Sequence, residues 1–193
     1  YKVSYDCTWK ALQLSIQSNN RIAESDNYIY LGKYYGFYKR DEEAFKNFTK
    51  SLRIKKALLE ANEIDENGLV GPYYAFLTTN RELERYSVAQ KYLDSCYLFS
   101  NAKVGSIQWA NLKCEEAILL TNSGRYSSAI SLFEEVKQAF TTQLPSYNVL
   151  TETFQGLAYK ENGQFDKAIE RFIRALEISD KYENSSIISL PIK

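Results

Sequence analysis

Apolar residues recur along this chain at a spacing near 3.6. Phe165, Ala168, Ile169, Phe172 and Leu176 fall on one helical face, and Ile130, Phe133 and Val136 on another with Lys137 opposite. That period predicts amphipathic helices rather than strands. From Asp41 to Glu63 almost nothing breaks the pattern, which predicts a helix of about six turns. Near the start, Trp9, Leu12, Ile16 and Ala23 predict a further apolar stripe. Turns between paired helices are punctuated by Gly124-Arg125-Tyr126 and Gly163-Gln164-Phe165, and turns between pairs by Pro145-Ser146 and Gly71-Pro72. Proline suits such starts because its φ is fixed and a first turn can spare its missing donor. Asp65-Glu66-Asn67-Gly68, with Gly71-Pro72, predicts a loop after the 41–63 helix. No segment alternates as strands between hairpin turns do. The fold class predicted is all-α.

Inside this pattern a longer motif repeats. Tyr28, Leu31, Gly32, Tyr35, Ala44 and Phe48 are spaced as W-x2-L-G-x2-Y…A-x3-F, and Gly156, Tyr159, Ala168 and Phe172 repeat its second part. Weaker copies read Ala117, Leu120, Gly124, Tyr126, Ala129, Phe133, and Tyr86, Ala89, Leu93 after the run Tyr73 to Leu77, where the register of the first helix is left open. The spacing resembles the tetratricopeptide repeat (TPR), in which two antiparallel helices pack tightly and stack on the next pair. A small residue at the crossing lets the backbones approach, and aromatic residues one turn away fill the remaining space. The markers Ala44, Ala89, Ala129 and Ala168 are 45, 40 and 39 residues apart, against a usual period of about 34. Longer helices and longer turns account for the excess. The expected architecture is an α-α superhelix, a TPR-like solenoid of four helix pairs after one N-terminal helix, with repeats near 25–63, 70–103, 110–143 and 149–182 in a single domain spanning 1–193.

Both ends read as cut. The Trp9 stripe suits the second helix of a preceding pair, while Ile187, Ile188, Leu190 and Ile192 are apolar enough to begin another helix or to cap the stack. The chain begins at Tyr1 and contains no methionine, as expected of a fragment of a longer protein.

Charge and chemistry narrow the function. Lys plus Arg and Asp plus Glu are each 24, so the net charge is zero, without the basic excess of a nucleic-acid binder. Lys50, Arg53, Lys55 and Lys56 cluster in sequence, yet a helix spreads them over several faces beside Glu60 and Glu63. No apolar run approaches the length of a membrane span, so no membrane insertion is expected. Cys7, Cys96 and Cys114 are odd in number, which favours free thiols over a disulfide framework and a reducing, cytoplasmic compartment, with an exported domain as the alternative. Histidine is absent, removing the commonest general base and most zinc sites. The adjacent pairs Glu42-Glu43, Glu115-Glu116 and Glu134-Glu135 point about 100° apart on a helix and cannot converge as acid and base. Glu63, Asp65, Asn67 and Gly68 have the opening cadence of a calcium loop, but Tyr74 stands where its bidentate glutamate belongs. Asn47-Phe48-Thr49, a formal glycosylation triplet, lies mid-helix. No enzyme activity, no metal and no cofactor are expected.

The resemblance implies a non-catalytic scaffold that binds a protein or peptide along the first helices of its pairs. By register the groove residues are Ile29, Lys33 and Phe37; Tyr74, Thr78 and Arg81; Cys114, Ile118 and Asn122; and Leu157, Lys160 and Glu161. Chaperone-binding members clamp a terminal carboxylate with polar residues where Ile29 and Cys114 stand, so that role is not implied. Long-period members often form the sensory or regulatory part of bacterial transcription regulators and signalling kinases. The alternative is a structural TPR domain for oligomerisation or assembly of a cell-envelope complex. Tyr30, Tyr34 and Tyr38 form a further stripe, placed either against the Trp9 helix or as an exposed binding strip.

Overall fold

A computed structural model describes residues 2–143 and 147–188, so Pro145, Ser146, Leu190 and Ile192 lie outside the described residues. The helices among them are α1 (Lys2–Gln17), α2 (Arg21–Phe37), α3 (Asp41–Glu60), α4 (Val70–Glu82), α5 (Tyr86–Phe99), α6 (Ile107–Asn122), α7 (Tyr126–Gln143), α8 (Tyr147–Glu161) and α9 (Phe165–Ile188). Where the sequence reads as one repeat array, the structure forms two compact units, residues 1–101 and 102–193. The first holds α1 and the pairs α2–α3 and α4–α5. The second holds the pairs α6–α7 and α8–α9. Within each unit the first helices lie side by side, α2 against α4 and α6 against α8, while the second helix of one pair packs on the first of the next.

The four turns within the pairs are built alike. Lys39, Glu84, Gly124 and Gly163, each five residues before its marker alanine, all take the left-handed conformation with φ of 58°, 59°, 77° and 73°. The amide after each reaches back to a carbonyl five residues earlier, as in Arg40 N to Tyr35 O (2.9 Å), Arg85 N to Asn80 O (2.8 Å), Arg125 N to Leu120 O (2.9 Å) and Gln164 N to Tyr159 O (2.9 Å). This bond closes the first helix of each pair in a Schellman cap. Two turns supply glycine for the strained position and two do not, and a side chain there costs about 1 kcal/mol. Glu84→Gly is therefore expected to raise stability by about 0.5–1 kcal/mol, read as a higher urea midpoint at unchanged slope.

The crossings follow the motif. A Cβ on Gly32 would lie 2.6 Å from Phe48 Cδ1 and 3.0 Å from the Ala44 carbonyl oxygen, and one on Gly156 would lie 2.6 Å from Phe172 Cε1. At the same register the second pair sets Leu77 opposite Leu93 and the third sets Ala117 opposite Phe133, all fully buried. A smaller residue on the second helix admits a larger one on the first. Ile29, Ala44, Phe48, Ala75 and Phe76 form the core shared by α2, α3 and α4. In the second unit Ala117, Ile118, Phe133, Val136 and Phe140 sit in one cluster with Ala158.

Several elements differ from expectation. The helix predicted over 41–63 stops at Glu60, because Asn62 turns left-handed (φ 56°). Gly71 and Pro72 lie in the first turn of α4, with a short 3₁₀ turn, Glu66–Leu69, leading into it. The stripe Trp9, Leu12, Ile16 and Ala23 is broken, since Ser18, Asn19 and Asn20 make a turn in which the Asn20 side chain accepts from Ala23 N at 3.0 Å. Ala23 therefore belongs to α2, Leu12 is buried, and Trp9 and Ile16 are exposed. Turn-forming asparagines outweighed the helical period there.

Candidate functional site

The first helices present the expected groove positions in a graded way. In the first unit, Ile29 is buried in the core beside Gly71, Ala75 and Phe76. It therefore offers no surface to a ligand, because α4 packs against that turn of α2. Lys33, one turn on, is exposed, and Phe37, one turn further, is 62% exposed with its ring edge-on to Tyr38 at 5.2 Å. On α4, Tyr74 and Thr78 are half-buried and Arg81 is half-buried with its guanidinium 3.7 Å from Glu82.

The settled register adds one residue that the sequence reading missed. With Leu77 at the crossing, the α4 equivalent of Phe37 is Glu82 rather than Arg81. Although Lys33 reaches solvent, partial desolvation of its ammonium lowers its pKa from the usual lysine range, and the negative Glu82 works against that shift. Lys33 on α2 and Glu82 on α4 thus face the same field. The signal available in sequence was the marker Ala89, from which the register could be counted back across the crossing.

In the second unit, Ile118 is 4% exposed and Cys114 is buried, both in the core with Phe133 and Ala158, so neither is a groove residue. Asn122 is exposed and its amide donates to Ile118 O at 2.9 Å. On α8, Leu157 is half-buried, while Lys160 is exposed and paired with Glu161 at 3.3 Å. Arg81 and Lys160 occupy equivalent places, four residues after the crossing, each followed by a carboxylate. Each unit therefore carries a cation and an anion side by side at the end of its second first-helix, with half-buried Leu157 one turn away in the second unit.

Beyond the groove, the second unit holds an interhelical ion network. Glu152 on α8, 5% exposed, lies 3.1 Å from Lys137 Nζ on α7 and 3.4 Å from Arg171 Nη1 on α9. Lys137 also reaches Glu134 at 3.2 Å, and Gln155 Nε2 donates to Glu134 Oε1 at 2.7 Å. Burial would raise the Glu134 pKa, but the Gln155 hydrogen bond and the positive Lys137 and Arg171 hold it below the usual carboxylate range. An open hollow of about 320 Å³ beside the network is lined by Lys137, Asn148, Glu152, Arg174, Glu177 and Ile178.

The remaining motifs are absorbed by structure. Asp65 Oδ2 and Asn67 Oδ1 accept from Asn101, at 3.3 and 3.4 Å, tying the acidic loop to the end of α5. Among the described residues no group of three or more His, Cys, Asp or Glu is placed to hold a metal ion. Asn47 is buried with its amide donating to Glu43 O at 2.7 Å, and Phe48 beside it is in the core. Of the basic cluster, Lys55 is buried against Asp26 at 3.0 Å, Lys50 lies over the Tyr28 ring, and Arg53 and Lys56 line a shallow hollow on α3. The tyrosine stripe divides. Tyr34 packs on Tyr5 of α1 at 4.7 Å and on Tyr38 at 4.8 Å, while Tyr30 is 60% exposed. No helix among the described residues is long and apolar enough to cross a membrane.

Paired helices closed by equivalent left-handed turns, with a glycine or alanine set against a phenylalanine at three of the four crossings, define a TPR-like helical-repeat fold, and known structures bear this out. BtubC (BKLC) from P. vanneervenii is similar over 90% of this chain and 68% of its own, with TM-score 0.63 and 16% identity. The nearly identical TPR-like repeats of a Podosopora anserina kinesin light chain match 93% of this chain and 87% of theirs (TM-score 0.59, 14% identity), and MamA matches 95% and 93% (TM-score 0.55, 18% identity). No protein-family model and no curated protein sequence matches the chain.

Proposed function

We propose that the chain is a non-catalytic scaffold that binds a protein or peptide along the first helices of its pairs. The observation that carries this reading is the face of α2 and α4. There the exposed Phe37 ring stands with Lys33, Arg81 and Glu82, a mixture of apolar and charged groups suited to an extended or helical peptide. Asn122, Leu157 and Lys160 supply similar chemistry in the second unit. The TPR-like fold supports the reading, and an odd number of cysteines, Cys7, Cys96 and Cys114, suits a reducing, cytoplasmic setting. The long repeat spacing supports the finer reading of a sensory or regulatory domain in a bacterial regulator. Finding an effector domain in the flanking sequence would bear that finer reading out.

Phe37→Ala tests the groove. Selection of peptides from a random displayed library should yield binders whose affinity falls about tenfold or more with this substitution, as for a central hot spot. The melting temperature should stay unchanged, since the side chain is mostly in solvent. Retained binding with a lowered melting temperature would remove Phe37 from the site. Lys160→Ala should change the salt dependence of binding more than its strength at high salt.

A further inference from the structure

Helix α1 packs chiefly on α2, and tyrosines meet across that contact. The hydroxyl of Tyr5 on α1 lies 3.3 Å from that of Tyr35 on α2, with the two rings edge-on at 6.3 Å. Tyr34 lays its ring against Tyr5 at 4.7 Å but turns its hydroxyl to Tyr38. All three side chains are half-buried, which holds the rings in place and leaves them within reach of a small oxidant. The Arg40 guanidinium covers the Tyr35 ring at 4.8 Å and fixes its position further. The chain has 16 tyrosines and no methionine, a side chain that otherwise absorbs oxidant.

The placing of the hydroxyls matters more than that of the ring centres. One-electron oxidation of a phenol puts unpaired spin on the carbons ortho to its oxygen. When two such rings couple ortho to ortho, their hydroxyls flank the new bond. The Tyr5 and Tyr35 oxygens already stand side by side in that way, so coupling asks for ring rotation and a small approach of α1.

We propose that Tyr5 and Tyr35 form an oxidative modification site, at which a haem peroxidase supplied with hydrogen peroxide joins the two rings by a carbon–carbon bond and fastens α1 to α2. Each phenol first gives up its hydroxyl hydrogen as one electron and one proton. The two ortho carbons then bond, and the hydrogen on each passes through water to its own ring oxygen, which restores both phenols. The pair has lost two electrons and two protons, and these turn one hydrogen peroxide into two waters. The bond closes a loop between residues 30 apart in sequence and covalently fixes a helix that otherwise rests on one neighbour. None of this depends on the groove reading.

The test uses the full chain carrying Cys7→Ser, which removes an exposed thiol able to reduce phenoxyl radicals. After a limiting dose of peroxide with peroxidase, the monomer is isolated, digested with trypsin and analysed by mass spectrometry. Peptide 3–10, whose only tyrosine is Tyr5, should be found joined to peptide 34–39, with the loss of two hydrogens and the fluorescence of dityrosine. Protein unfolded in urea, and folded Tyr35→Phe, should each give about tenfold less of the joined peptide, whereas Tyr34→Phe should give as much as the parent. Fragment ions that place the bond on Tyr35 rather than Tyr34 decide the same point without a variant. Absence of the joined peptide from folded monomer, an equal yield from the unfolded chain or from Tyr35→Phe, or a bond placed on Tyr34 would overturn the proposal.

Discussion

Gly32→Leu is expected to destabilise the first unit by about 3 kcal/mol or more, and Gly32→Ala by about 2 kcal/mol, at the upper end of overpacking effects. The cause is the absence of anything that can move. Phe48 is fully buried, and the other close atom, the Ala44 carbonyl oxygen, belongs to the backbone of α3. Gly156 offers an instructive contrast, because all three atoms nearest its virtual Cβ belong to the Phe172 ring, which is only half-buried. That ring can swing outward, so Gly156→Ala should cost about 1 kcal/mol and Gly156→Leu about 2–3 kcal/mol. Urea denaturation of the four variants checks the ranking, and a melting curve unchanged by Gly32→Leu would contradict the packing described for the α2–α3 crossing.

Glu152→Ala should cost the second unit about 1–3 kcal/mol, because Lys137 and Arg171, each largely buried, lose their buried carboxylate and keep only the half-exposed Glu134 between them. Glu152→Gln keeps the shape and one acceptor, and should fall between parent and alanine variant. The same network predicts acid sensitivity. Glu134 has a folded pKa below its unfolded value, so its contribution is present above the unfolded pKa and is lost as pH falls through the folded one. Melting temperature measured down through the carboxylate range should therefore drop less steeply in Glu134→Gln than in the parent. Equal slopes would detach Glu134 from the network's stability.

The parts of this fold legible in sequence were those in which one residue type is almost forced. Glycine at positions 32 and 156 opposite phenylalanine at 48 and 172 announced two crossings, and glycine at 124 and 163 announced two turns. The second pair was obscured because it solves both problems with ordinary residues. Leu77 faces Leu93 in place of a glycine and a ring, and Glu84 takes the left-handed conformation that glycine takes elsewhere. The candidate site was partly legible for the same reason. Positions counted from Gly32 lie on α2, but Ile29 and Ile118 are buried, since α4 packs over the first and α7 and α8 over the second. Glu82 required the register of α4, which the run Tyr73 to Leu77 hid. Nothing local signalled Glu152, whose partners lie 15 and 19 residues away on two other helices.

Because each helix contacts chiefly its neighbours in sequence, little chain entropy is spent in closing long loops, and folding should be fast, roughly milliseconds or less. Either unit can nucleate by itself, which makes a single unfolding midpoint a poor description of the whole chain. The two tryptophans are distributed conveniently for seeing this, Trp9 in the first unit and Trp109 in the second. Fluorescence transitions of Trp9→Phe and Trp109→Phe then report one unit each, and Gly32→Ala should displace the curve seen through Trp9 further than the curve seen through Trp109.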